Sequence, residues 1–104
     1  MHRVAFKMKL LAGYAVEYKK RHDALWPELQ ALLKEAGVSD YSIFLDDDTN
    51  TLFAYLTATD TNKLAELSNE PVMKKWWLYM RDIMETNADN SPVVVDLKEL
   101  FFMP

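Results

Sequence analysis

The spacing of apolar residues changes period along this chain, and that change limits the folds open to it. Val4, Phe6, Met8 and Leu10 alternate with Arg3, Ala5, Lys7 and Lys9, the period of two that a half-buried strand requires. Gly13 ends the run. Beyond it Tyr14, Tyr18, His22, Leu25, Leu29, Leu32 and Leu33 recur at three- and four-residue intervals, one stripe of a helix expected over 14–36. Pro27 lacks an N–H and clashes with the turn before it, so the rod is expected to kink or restart there, just after His22. Gly37 supplies the stop.

Period two returns where Tyr41, Ile43 and Leu45 alternate with Ser42, Phe44 and Asp46. Asp46-Asp47-Asp48-Thr49-Asn50 is a dense turn signal, and a third alternating run follows over 52–59, which together predict a β-hairpin. Asp60 is the expected N-cap of a helix over 61–67. Pro71 opens another that carries Met73, Trp76, Trp77 and Met80 and is expected to reach Met84. A polar loop over 87–92 precedes a final strand expected over 93–103. The order β-α-β-β-α-β is the split, ferredoxin-like pattern: an α+β subunit with an antiparallel four-stranded sheet and its helices on one face. The other face is expected to carry Phe44, Phe53, Tyr55 and Phe102. An apolar sheet face of that kind does not stay in water, so it is predicted to be buried in a homodimer.

At 104 residues the whole chain, 1–104, is read as one domain. A net charge of −4 removes the electrostatic case for a nucleic-acid ligand. Cysteine is absent, which excludes disulfides, thiol nucleophiles and thiolate metal sites together. The first residues hold no apolar run suited to a signal peptide, and no segment approaches the ~20 apolar residues of a membrane span. A cytoplasmic protein without a membrane partner is expected.

The chain has two histidines. His2 lies at the terminus, which leaves His22 as the imidazole placed to give and take protons near neutral pH. It follows Tyr18 by one helical turn and Tyr14 by two, so the three share a face, the one aimed at the sheet. A polar triplet pointing inward suggests a pocket beneath the helix. By spacing alone, a boundary histidine bonded to a backbone carbonyl is an equal alternative, and a tyrosine stripe is core more often than site. Trp76-Trp77 is the second unusual feature, since adjacent helical residues diverge by about 100°. Either both are core or one lines a cavity, where an aromatic face suits the C–H surface of a sugar.

Asp46-x-Asp48-x-Asn50 opens like a calcium loop, but Thr51 stands where the loop needs glycine and Thr57 where it needs glutamate. It is assigned to the hairpin turn. With one internal histidine and no cysteine, no transition-metal site is expected.

Several blocks then coincide with one known family: Glu17-Tyr18-Lys19-Lys20-Arg21-His22, Leu25-Trp26-Pro27-Glu28-Leu29, Asp40-Tyr41-Ser42-Ile43, Lys75-Trp76-Trp77 and Asn87-Ala88-Asp89-Asn90-Ser91-Pro92. Over its whole length the chain resembles the L-rhamnose mutarotases. The resemblance implies a dimeric α/β barrel of ferredoxin-like subunits, and an isomerase that interconverts the α and β anomers of L-rhamnose in the cytoplasm for rhamnose catabolism. It implies no cofactor. The family's proton donor falls on His22 and its sugar contacts fall on Tyr18, Tyr41, Trp76 and Trp77. In the expected mechanism His22 protonates the ring oxygen while a second group or water serves the C1 hydroxyl, with Tyr18 the nearest candidate to orient the sugar or relay the proton. The alternatives are a cofactor-independent oxygenase or haem-degrading enzyme of the same dimeric-barrel shape, which fold alone does not separate, and a non-enzymatic ligand- or RNA-binding module. The acidic balance and the absence of a basic, stacking strand signature weigh against RNA.

Overall fold

The computed structural model describes residues 1–104. Strand β1 (His2–Lys9) leads through Gly13 to helix α1 (Ala15–Asp23), and after a three-residue break to helix α2 (Pro27–Glu35). Strands β2 (Val38–Asp46) and β3 (Thr51–Ala58) form the hairpin. Helix α3 (Thr61–Glu66), a 3-10 turn at Leu67–Asn69 and helix α4 (Pro71–Met80) precede the short strand β4 (Val95–Asp96). The sheet is four-stranded in the order β2-β3-β1-β4, and its pairs are antiparallel. This small α+β arrangement is the one that the alternating periods predict.

Register decides which residues meet. Phe6 pairs with Ala54 and Met8 with Leu52, so one face of β1 and β3 presents a continuous apolar surface to the helices. Met8, Leu10, Leu52 and Ala54 pack there with Leu29 of α2, Trp76 and Met80 of α4, and Ile83. Leu29, 2% exposed, contributes about 1.5–3 kcal/mol by its burial. The opposite face holds Phe44 opposite Phe53. Phe44, Phe53 and Phe102 are all exposed there, as expected, Phe44 by 69%.

The local signals act as read. Asp60 accepts from the backbone N–H groups of Asn62 (2.8 Å) and Lys63 (3.4 Å) and caps α3, an interaction of about 1 kcal/mol. In the hairpin turn, the Asp46 carboxylate accepts from the Asp48 N–H (3.1 Å) and the Thr49 hydroxyl (3.0 Å). That carboxylate is therefore occupied by the turn.

Two expected extents differ. Helix α4 stops at Met80 rather than Met84, because the end of β1 captures the following residues. Leu11 donates to the Ile83 carbonyl (2.9 Å) and Glu85 to the Lys9 carbonyl (3.1 Å), while Met84 bridges Leu10. The last strand covers only Val95–Asp96 of the expected 93–103. Beyond Leu97, which donates to the Ala5 carbonyl (2.9 Å), side chains hold the segment. Arg3 pairs with Glu99 at 2.8 Å, and its guanidinium lies 3.4 Å over the Phe102 ring. No helix is long and apolar enough to cross a membrane.

Candidate active site

Pro27 sets the position of His22. A residue before proline is pushed out of the helical region, and Trp26 is extended accordingly (φ −59°, ψ 130°). Helix α1 therefore ends at Asp23, with Ala24 and Leu25 donating back to the carbonyls of Lys20 (3.3 Å) and His22 (3.2 Å). His22 thus occupies the last turn of α1, where a partial positive charge is favoured by the helix dipole.

The imidazole is fixed on three sides. Its Nδ1 lies 2.9 Å from the Tyr18 carbonyl. A carbonyl only accepts, so Nδ1 carries the proton and Nε2 holds the lone pair of the neutral ring. Nε2 has no protein partner. The Tyr18 ring stacks on the imidazole at 4.2 Å between centroids, and Trp76 abuts it edge-on at 5.4 Å. Burial pushes the His22 pKa below its ordinary value, against the opposing pulls of the Tyr18 carbonyl and the Asp23 charge. The resting ring is neutral at pH 7.

His22 and Tyr18 line a cavity of about 780 Å³ between α1, α2 and β2, a volume within the range of small-molecule sites. Its floor is apolar, with Leu25, Ile43 and Leu45, and its polar wall includes Gln30, Lys34 and Asp40. Tyr41 enters the same cavity with Ile43 and Leu45, the residues that share its side of β2; the β2–β3 register slips just before it, between Ser39 and Ser42, where Asp40 adopts φ +52°. Tyr41 is 40% exposed, yet protein crowds its hydroxyl and pushes its pKa up to about 12. The Tyr18 phenol is raised further, by burial first and by Tyr41 second. Both phenols therefore keep their protons at neutral pH and serve as hydrogen-bond donors, not as bases.

The structure thus brings Tyr18, His22 and Tyr41 to one cavity. Trp76, 8% exposed, stands behind the imidazole in an aromatic cluster with Trp26 (5.1 Å) and Tyr79 (5.6 Å) and does not line that cavity. Trp77 is half-buried and opens on a separate depression beside Lys74, Asp89 and Asn90. The residue pattern did not single out Gln30 and Lys34. Their i, i+4 spacing on α2, flanking the expected inward stripe at Leu33, was the available signal.

The fold and cavity define a small α+β protein with a single imidazole set over a pocket of ligand size. The family model described as L-rhamnose mutarotase matches residues 3–103. The chain belongs to the L-rhamnose mutarotase family. It is 60% identical to the L-rhamnose mutarotase of Brucella anthropi over 102 residues, covering 98% of this chain and 96% of that one. It is also 60% identical to that of Agrobacterium fabrum, covering 100% and 97%. The crystal structure of the L-rhamnose mutarotase from Formosa agariphila superposes with a TM-score of 0.94 at 53% identity, covering 100% of both chains. A structure from Mycobacterium tuberculosis (TM-score 0.62, 14% identity, 98% and 97% covered) shares the fold alone.

Proposed function

We propose that this chain interconverts the α and β anomers of L-rhamnose, with His22 as the group that moves the proton and Tyr18, Tyr41, Trp76 and Trp77 as the residues that hold the sugar and the imidazole. The observation that carries this reading is the bond from His22 Nδ1 to the Tyr18 carbonyl. It leaves Nε2 as a base on a residue that lines a cavity large enough for a monosaccharide.

Anomerisation moves one proton between two oxygens on the same carbon. The neutral imidazole takes the C1 hydroxyl proton at Nε2 and, as the imidazolium, donates it to the ring oxygen while the bond from C1 to that oxygen breaks. The open aldehyde rotates about C1–C2, and the reverse steps close the ring on its other face. Protons balance within the cycle, and no electron is gained or lost. A lowered pKa makes the imidazolium a readier donor, and positioned acid–base catalysis of this kind typically supplies 10²–10⁴-fold. The protonated phenols of Tyr18 and Tyr41 donate hydrogen bonds to sugar hydroxyls. Trp76 holds the imidazole edge-on, and the family resemblance alone supports Trp77, which faces the separate depression, as a sugar contact.

The exposed phenylalanines of the sheet support a homodimer, a closed α/β barrel of two single-domain subunits with those faces turned inward. The family resemblance further supports a place in the cytoplasm. Exchange-resolved NMR of the L-rhamnose anomeric signals tests the reaction. Wild type should accelerate exchange at catalytic concentration, and folded His22→Ala should fall to near the spontaneous rate. Full activity in folded His22→Ala would end this mechanism.

A further inference from the structure

Arg21 stands next to His22, and its side chain is only 10% exposed. Each of its three guanidinium nitrogens is engaged. Nε donates to Glu17 one turn back at 2.8 Å. Nη1 and Nη2 grip both oxygens of Asp82 at 2.9 and 3.1 Å, and Nη1 also donates to the Tyr79 carbonyl at 2.8 Å. The guanidinium lies 4.5 Å from the centre of the Tyr79 ring. Tyr79 packs on Trp76, and Trp76 packs on His22. One cation therefore ties the last turn of α1 to the end of α4, in the planar, two-pronged geometry that arginine makes and lysine does not.

Resting on the mutarotase reading, we infer that Arg21 is the positioning residue of the reaction: its clamp onto Asp82 and Tyr79 fixes α1 against α4 and so holds the His22 imidazole at its place in the cavity. Arg21 lies outside the cavity lining and acts only through His22. Displacement of a proton-transfer group by about 1 Å costs on the order of 10²-fold in rate; of the proposed sugar contacts only Tyr18 rides on α1 with it, while Tyr41 and the wall formed by α2 and β2 do not depend on the clamp. Loss of the clamp should therefore lower kcat far more than it raises KM.

The test uses the full-length chain with Arg21→Lys, which keeps the charge and loses the fork, and Asp82→Asn at a side chain that is 62% exposed. Anomer exchange gives kcat and KM, and proton NMR gives the titration midpoint of the His22 ring without substrate. The charged and titratable groups around that ring are Lys19, Asp23 and Tyr18 on α1, Lys34 on α2, and Asp40 and Tyr41 on β2. The α4 side chain packed against it is the uncharged Trp76. All of these survive in both variants.

Arg21→Lys should lower kcat roughly ten- to hundredfold with KM within about threefold, and the His22 midpoint should rise toward the ordinary value as the ring gains water. Asp82→Asn should shift both in the same direction by a smaller factor, and it carries the test should Arg21→Lys not fold. A folded variant with kcat within about twofold of wild type, or one whose kcat falls while the His22 midpoint stays put, overturns the inference. Because the midpoint needs no substrate, a wild-type protein inactive on L-rhamnose would sink the functional reading while leaving the clamp to be judged by titration.

Discussion

Trp76 meets the His22 imidazole edge-on, with ring centroids 5.4 Å apart and planes at 89°. The same indole is perpendicular to Trp26 at 5.1 Å, so one side chain joins the proton-transfer group to the aromatic cluster that fills the space between α1, α2 and α4.

Trp76→Ala should therefore act first on stability. Removing a buried tryptophan costs about 3–5 kcal/mol, and urea unfolding should show a loss of that size. Trp77→Ala, at a half-buried position, should cost clearly less. Equal losses for the two variants would show that the cluster does not depend on Trp76.

Folding lowers the proton affinity of His22, while the unfolded chain binds that proton near pH 6.5. Between 6.5 and the lower folded midpoint the unfolded state holds more protons, so stability is complete above pH 6.5 and is lost as pH falls through that window. Unfolding free energies measured at about pH 7.5 and about pH 5 should differ more for wild type than for His22→Gln. In the same window kcat should decline with acidification, because the neutral ring takes the first proton. A kcat that rises on acidification would contradict that order of steps.

Gly37 has φ +83°, and a Cβ there would fall on the Thr59 hydroxyl, whose own backbone N–H donates to the Gly37 carbonyl at 3.1 Å. Gly13 shares the left-handed backbone at φ +88° but faces open space. Gly13→Ala should cost about 1–2 kcal/mol for the backbone alone. Gly37→Ala should cost more, since Thr59 must also move. Thermal denaturation of the two variants side by side checks the ranking.

Phe44 and Phe53 face each other across β2 and β3 on the sheet surface away from the helices. Phe44→Asp should leave the subunit folded, because that side chain is 69% exposed, and should convert the proposed dimer to monomer in sedimentation velocity at micromolar concentration. Wild type that sediments as a monomer would overturn the dimer.

Much of the fold was legible because strand and helix bury apolar residues at different periods. Pro27 marked the break that puts His22 in a terminal turn, whereas the divergence of adjacent helical positions left open whether Trp76 and Trp77 were both core, and only Trp76 is buried. The extents of α4 and β4 were not legible. Ile83 and Met84 are as apolar and as well spaced as helical core residues, yet they are buried by pairing with the end of β1. Spacing alone does not distinguish these modes of burial. Alternation did place Tyr41 on the cavity side with Ile43 and Leu45, but not the register slip between Ser39 and Ser42 just before it. The partner of Arg21, Asp82, lies 61 positions away, beyond any local pattern.

The three residues between α1 and α2 carry a consequence for shape. An unbroken helix over 14–36 would run about 35 Å at 1.5 Å per residue, as long as the molecule's greatest dimension of 35 Å, and would lie across the sheet as a straight beam. Interrupting the beam at Pro27 exchanges reach for a change of course, and residues of both halves line the hollow beside the break. A proline needed only to end one helix and begin the next thereby makes room for a guest.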